Sequence, residues 1–415
     1  TAIAIYQALY GGHTTTLAMS SVPYQLTAAD LAPARRRLDT LLAGPITLKL
    51  DGRTWTIPVA TLGSWAIIAE DRRTRIATVA LDESAVTTWM GGLSPQVYRA
   101  PADGQITWDN GVKVTRPSAE GRVLMPIASA SRVRNIAFTP QREVSLAVRR
   151  TQPATSTNNL PALGIREIIG EGSSEFTGSP PERVHNIHTA AGYLHNTIVP
   201  PGKLFSFNDA IGPIALDTGY QEGLTIVGDE TVAGVGGGVC QVSTTAFRAA
   251  FWSGVPIVVR NQHSYTVVYY TLDGSPVGFD AAVYQPYLDL QFKNDTAQHI
   301  LIQTSWSSNQ HWVTFYGTKT GRTVQRSASY ITNRLPPLPD KVVVDPSLPT
   351  GAREQKDYWA HEGLDVSLTR TVSKNGKVLF TERYFSRYKP WGAVYHVGPP
   401  PPGAPILDTS TSGHG

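Results

Sequence analysis

Cysteine is almost missing from this chain of 415 residues: Cys240 is the one example. A single thiol excludes a disulfide framework within the chain and any cysteine-built zinc cluster. Charge is also scarce. Asp, Glu, Lys and Arg make up 16% of the residues, too few for a disordered chain, while 41% are hydrophobic, enough for packed cores. The formal net charge of +4 is spread along the sequence with no dense Lys/Arg run. That argues against a nucleic-acid partner and suits an acidic polymer or a cell envelope. No apolar run is long enough to cross a bilayer. The opening TAIAIYQALYGG is apolar but short. It reads either as the trailing end of a signal or anchor helix, or as a first strand.

At this length two or three domains are expected, and the patterning is α+β and multidomain. Leu31, Leu38, Leu41 and Leu42 recur at helical spacing over 28–43, with Thr27 and Asp30 as helix-start residues. Alternating runs around Asp51-Gly52 and around Asn110-Gly111 predict two hairpins. A short helix over 82–91 and an exit strand in REVSLAVRRTQP complete an α+β unit, residues 1–152, with no evident chemistry. The Thr-, Asn-, Pro-, Gly- and Ser-rich stretch 153–181 predicts a linker or long loop.

The central unit, 153–325, holds the helix RVHNIHTAAGYLHNTIV and a glycine loop running into a helix, GGGVCQVSTTAFRAAFWSG, stopped at Gly254. Strands are predicted in VPIVVRNQHSYTVVYYT, GFDAAVY, LDLQFKND, HILIQTSW and HWVTFYGT, forming a mainly antiparallel sheet. Residues 326–400 read as a small all-β module with a hairpin at Asn375-Gly376. Residues 401–415 read as a flexible, low-complexity tail.

Chemistry concentrates around Cys240. Gly236, Gly237 and Gly238 permit backbone angles closed to other residues and leave room above the backbone for a ligand. The helix that follows places the thiol at or just before an N-terminus, where unpaired N–H groups favour a thiolate. Amides from Gly238 to Gln241 would also hold an oxyanion, which suits acyl transfer through a thioester. His263, at the start of an apolar strand, is the candidate base. Asp280, an acid in an apolar segment, is the first candidate to orient it, ahead of Asn294 and Asp289. Each residue also has a plainer reading: a buried small thiol, a satisfied histidine, a turn-capping acid. Arg183 and Arg260 could bind a substrate carboxylate or simply be solvated. Trp252, Tyr265, Tyr269 and Tyr270 could line a groove, though residues this apolar usually face a core. His185, His188 and His195 lie near one another on a helix but lack a carboxylate partner, so no metal and no cofactor is called for.

The ordered series RVHNIHTAA, VPPGKLFSFND, GY at 219–220, GGGVCQVSTTAF, VRNQHS, GFDAAV and LDLQFKND resembles the VanW-domain family, over residues 165 to about 318. More weakly, residues 1–152 resemble the peptidoglycan-binding module that often precedes this domain. The C-terminal piece resembles the small β module named for five glycines, with Gly351, Gly363, Gly376, Gly392 and Gly398 available for them. The resemblance implies an exported, wall-associated protein, extracellular or in the cell envelope, with peptidoglycan or another envelope glycan as partner. It leaves open a membrane anchor upstream and self-assembly at the surface. Some family members are implicated as L,D-transpeptidases acting through a cysteine. Cys240, His263 and Asp280 match the cysteine, the R..HS histidine and the G.DA aspartate of its motifs, and Arg260 and Ser264 complete R..HS. Ala282 stands where a threonine is common. Two functions follow as expectations: cysteine-dependent transpeptidation or carboxypeptidation of stem peptides, or a non-enzymatic structural or glycan-binding role in a surface layer, sheath or filament.

Overall fold

The computed structural model describes residues 27–70, 77–227, 230–355 and 360–401. The apolar opening and most of the Pro-rich tail, both read from sequence above, lie outside them. Helices and mostly antiparallel strands are mixed in several small sheets, the α+β class that the patterning predicts. Two compact units emerge. Among the described residues, one comprises those of 27–101 and 120–152, the other those of 102–119 and 153–401.

In the first unit, Thr27 and Asp30 form a reciprocal capping box that starts the helix Ala28–Leu41. The hairpin Ile46–Leu50 with Arg53–Ile57 turns through Asp51 and Gly52 at φ 47° and 79°. Both central residues are thus left-handed, as a two-residue hairpin turn matching strand twist requires. Leu41, Ile46, Leu48, Val86, Met90 and Val133 are buried together as its core.

The second unit is organised around the helix Val239–Ser253, buried from Val242 through Phe251. It packs on a four-stranded antiparallel sheet in the order Glu167–Glu175, Gln310–Gly317, Ile300–Trp306, Thr197–Val199. The first of these strands lies inside the stretch that composition marks as a linker. Its Gly and Ser content has a packing cause. A Cβ on Gly170 would come 2.6 Å from Ala249 O, and one on Gly172 2.3 Å from Thr245 O. Only bare backbone lets helix and strand approach so closely, and Ser174 Oγ meets Thr245 Oγ1 at 2.6 Å there.

Two further expectations are corrected. In VPIVVRNQHSYTVVYYT only Ile257–Val259 is a strand, and residues 260–270 leave the sheet and end in a 3-10 turn, Val268–Tyr270. GFDAAVY makes only isolated bridges, Asn261 with Ala282 and Tyr284 with Leu288. The reason is that side chains take the place of a ladder. Ala281 O accepts from Ser243 Oγ at 2.6 Å and from Thr244 Oγ1 at 3.2 Å, and Ala281 N donates back to Thr244 Oγ1 at 3.0 Å. Helix hydroxyls therefore fix this buried segment against Val239–Ser253.

The C-terminal β structure is continuous with the same core. Its hairpin, Gly363–Lys374 with Lys377–Tyr388, turns at Asn375 and Gly376 with φ 52° and 75°. Leu368 and Tyr384 join the apolar cluster around Phe247 and Phe251. Arg370, fully buried, donates to Val255 O at 2.9 Å and to Ala250 O at 3.2 Å and pairs with Glu382 at 2.8 Å. The hairpin at Asn110-Gly111 also belongs to this unit: Trp108 stacks on Tyr316 with ring centroids 4.8 Å apart.

Candidate active site

The helix carrying Cys240 starts from a left-handed turn, with Gly236 and Gly238 at φ 89° and 113°. A Cβ on Gly237 would lie 2.4 Å from Leu224 O, and one on Gly238 2.8 Å from Arg183 O. Neighbouring backbone presses on the turn at Gly237 and Gly238 and leaves no room there for a side chain. Cys240 is the second residue of the helix rather than the residue before it. Of the amides around it, Gly236 N donates to Gln221 O, Val239 N to Gly236 O and Gln241 N to Gly238 O, at 3.0, 3.1 and 2.9 Å. Those of Gly237, Gly238 and Cys240 have no acceptor among the described residues.

The buried segment 279–283 returns to this turn. Cys240 is half-buried, and Val283 brackets its sulfur: Sγ lies 3.4 Å from Val283 O and 3.5 Å from Val283 N. His263, 5% exposed, is the charge partner of the same sulfur: each shifts the other's titration toward the charged form. The imidazole Nδ1 lies 2.6 Å from Asp280 Oδ2, which also accepts from the His263 amide at 3.2 Å. That leaves Nε2 for the thiol and for the Tyr270 hydroxyl at 3.2 Å. The other carboxylate oxygen, Oδ1, accepts from Arg260 Nη2 at 2.9 Å and from the Tyr388 hydroxyl. Cys240, His263 and Asp280 are thus brought together from three segments spaced along 41 residues, with His263 hydrogen-bonded to Asp280 and electrostatically coupled to Cys240.

Electrostatics follow from this order. Burial pushes the Cys240 thiol up, but the hydrogen bond and charge of His263, the Val283 amide and the Arg183 charge together bring it below its ordinary value. Burial pushes His263 down, yet the bond to Asp280, the bond to Cys240 and both their charges hold it at about 9. For Asp280 burial opposes ionisation, and Arg260, His263 and Tyr388 override it, keeping the carboxyl well below the usual range. The arrangement shifts the thiol toward its ionised form and keeps the imidazole protonated and Asp280 ionised near neutrality, and the thiol and imidazole titrate as a coupled pair.

The remaining candidates fall differently. Gln241 is fully buried, accepting from Arg183 Nη2 at 2.8 Å and donating to Glu175 O at 3.1 Å, so its side chain faces inward. Arg260 spends its donors inside the fold, on Asp280 O at 2.6 Å, Gly278 O at 3.0 Å and Ser386 Oγ at 2.8 Å besides the Asp280 carboxylate. It holds Asp280 from within the fold. The Ser264 carbonyl accepts from the Lys389 amide at 2.7 Å. Arg183 is buried with its guanidinium 3.8 Å over the Tyr269 ring. Asp289 accepts from Ser206 Oγ at 2.7 Å and the Asn208 amide at 3.0 Å, and Asn294 donates to Val199 O at 2.8 Å, so both tie loops. His185 contacts Gly219 O, His188 stacks on Trp306, and His195 accepts from the Thr304 amide. Among the described residues no three His, Cys, Asp or Glu side chains gather as a metal site.

Tyr270, read from sequence as a groove or core residue, places its hydroxyl at His263, and Tyr388, which the sequence did not single out, places its own at Asp280.

Residues 182–316 match the family model described as VanW like protein. An uncharacterized protein, YoaR, of Bacillus subtilis (strain 168) is 34% identical over 40% of this chain and 54% of its own. The vancomycin B-type resistance protein VanW of Enterococcus faecalis (strain ATCC 700802 / V583) is 30% identical over 28% of this chain and 42% of its own. The chain thus spans about half the length of the curated relatives it matches. Among solved structures, an L,D-transpeptidase of Enterococcus faecium aligns over 32% of this chain and 49% of its own at 15% identity, with a TM-score of 0.21. The G5 domain of an IgA1 protease aligns over 19% of this chain and 92% of its own at 17% identity, with a TM-score of 0.13. Superpositions at these scores say nothing about the chemistry of the site.

Proposed function

We propose that this chain, through its VanW-like region, is an exported cell-envelope protein whose Cys240 performs acyl transfer on peptidoglycan stem peptides, as an L,D-transpeptidase does. One observation carries the reading: a thiol coupled to an imidazole that is hydrogen-bonded to a buried carboxylate, with the thiol below its ordinary pKa and the imidazole above its own. Such a series is a nucleophile, its acid-base partner and the group that orients the partner. The sequence motifs shared with the family, and the vancomycin-resistance name of one relative, direct the choice of substrate to the cell wall.

The Cys240 thiolate attacks the carbonyl between an L- and a D-centre of a donor stem. The oxyanion formed there meets the amides of Gly238 and Cys240, which have no acceptor among the described residues. His263, protonated at Nε2, gives that proton to the departing D-amino acid as the tetrahedral species collapses to a thioester. An acceptor side-chain amine then attacks the thioester carbonyl and loses a proton to His263. The amide forms and the thiolate departs. Water in place of the amine yields a trimmed stem, the carboxypeptidase outcome. Asp280 keeps Nδ1 protonated and Nε2 toward sulfur throughout.

The test is incubation with purified muropeptides, comparing the wild type with Cys240→Ala by mass spectrometry. Cross-linked or trimmed products from the wild type alone support the reading. Identical profiles from both end it.

A further inference from the structure

Resting on that reading, we infer that Tyr284 and Tyr287 form a sugar-binding platform beside Cys240, so that the donor stem is taken with its glycan attached. The segment that holds the sulfur leads directly into these rings. Val283 brackets Cys240 Sγ with both its backbone groups, and Tyr284 is the next residue, its Cα about 3.8 Å further along. The Tyr284 and Tyr287 ring centroids are 6.2 Å apart with planes 16° from parallel. The two residues are 44% and 80% exposed, so the stacked pair reaches water, Tyr287 the more of the two.

The surface is held rather than loose. Tyr284 N donates to Leu288 O at 2.9 Å, and Leu288 N and Tyr287 N each donate to Tyr284 O at 2.7 Å. Gln285 anchors the turn from below, giving Nε2 to Gly212 O at 2.8 Å and accepting the Ile214 amide at 3.2 Å. A preorganised turn displays its rings without a further ordering cost on binding.

The chemistry of the occupant follows from what the turn lacks. Residues 281–288, AAVYQPYL, contain no Asp, Glu, Lys, Arg or His. A stem peptide, with its free carboxylates and amine, finds no charge partner in this turn. A pyranose ring does find a partner: its C–H face packs on an aromatic face while its hydroxyls stay in water beside the tyrosine hydroxyls. The direct run of chain from Val283 at the Cys240 sulfur to Tyr284 then fixes which sugar is meant, the one that bears the reacting stem.

The experiment uses Cys240→Ala protein, in which no turnover occurs, and calorimetric titration with two probes. These are a disaccharide–tetrapeptide and the same tetrapeptide without sugar. The expected result is at least about tenfold tighter binding of the sugar-bearing probe, with Tyr287→Ala removing most of that preference and Tyr287→Trp keeping it. Tyr287 is the more exposed ring, so its replacement leaves the core intact. The inference is overturned by equal affinity for the two probes, by a preference that survives Tyr287→Ala, or by sedimentation showing that Tyr287→Ala instead breaks a self-association. A sugar preference in a protein whose wild type makes no product would sink the acyl-transfer reading and leave the platform standing.

Discussion

The Tyr388 hydroxyl donates to Oδ1 of Asp280 across 108 residues of sequence. The C-terminal β hairpin therefore reaches into the series that prepares Cys240, as does Ser386 through Arg260. Removing that hydroxyl leaves a buried carboxylate oxygen short of one donor. Tyr388→Phe should cost about 1–3 kcal/mol of stability and slow alkylation of Cys240 several-fold at neutral pH. Urea denaturation and iodoacetamide labelling measure the two effects, and unchanged values for both would contradict the link.

Asp280 is what holds His263 above its ordinary value once burial is overcome. In Asp280→Asn the imidazolium loses that support, and the thiol loses its cationic partner in turn. The onset of Cys240 alkylation should move to higher pH, and the rate at neutral pH should fall with it. A labelling profile that coincides with the wild type would show that the carboxylate does not tune the thiol.

The coupled pair also leaves a signature in stability. Folded, His263 keeps its proton up to about 9 and the Cys240 thiol titrates below its ordinary value. Unfolded, the two revert to about 6.5 and about 8.5. The raised histidine contributes stability that is full below about 6.5 and lost as pH rises through its folded value. The lowered thiol contributes stability that is present above about 8.5 and lost as pH falls. The two dependences have opposite sign and offset each other. In Cys240→Ala only the histidine contribution remains, at a folded value below about 9 because the support of the sulfur is gone. It is lost as pH rises above about 6.5, at up to about 1.4 kcal/mol per unit. The other shifted histidines, His188, His195, His311 and His361, are all lowered and so act below this window. Urea denaturation at pH 6.5, 7.5 and 8.5 should show the variant losing stability more steeply with pH than the wild type. Parallel behaviour would contradict the ion pair.

Gly172 and Gly192 separate packing from propensity. Alanine at 172 would bring a Cβ to 2.3 Å from Thr245 O, while alanine at 192 meets nothing within 4 Å in the helix Pro181–Leu194. Gly172→Ala should lose about 1–3 kcal/mol, and Gly192→Ala should gain about 0.4–1 kcal/mol. Thermal melts that shift in the same direction would refute the packing argument for the strand Glu167–Glu175.

Much of this was readable before any coordinates. Turn dipeptides such as Asp51-Gly52, Asn110-Gly111 and Asn375-Gly376 state their conformation locally, and all three form hairpins. The capping pair Thr27 and Asp30 is equally local. The grouping of Cys240, His263 and Asp280 was available from motif order. The strand Glu167–Glu175 was hidden because its glycines answer to a helix some 75 residues later. The irregular path of 260–283 was hidden because Ser243, Thr244 and Arg260 replace the expected ladder partners. Arg260 itself reads as a surface cation until the C-terminal hairpin closes over it. Long-range side-chain bonding of this kind has no periodicity to betray it.

The central claim is that Cys240 becomes acylated by a stem peptide. Intact-protein mass spectrometry after brief mixing with a disaccharide–tetrapeptide tests it directly. The account predicts an adduct on Cys240 equal to the donor less its terminal D-amino acid, weaker in His263→Ala and missing from Cys240→Ala. A wild-type protein that stays unmodified while its folded thiol is accessible to alkylation would contradict it.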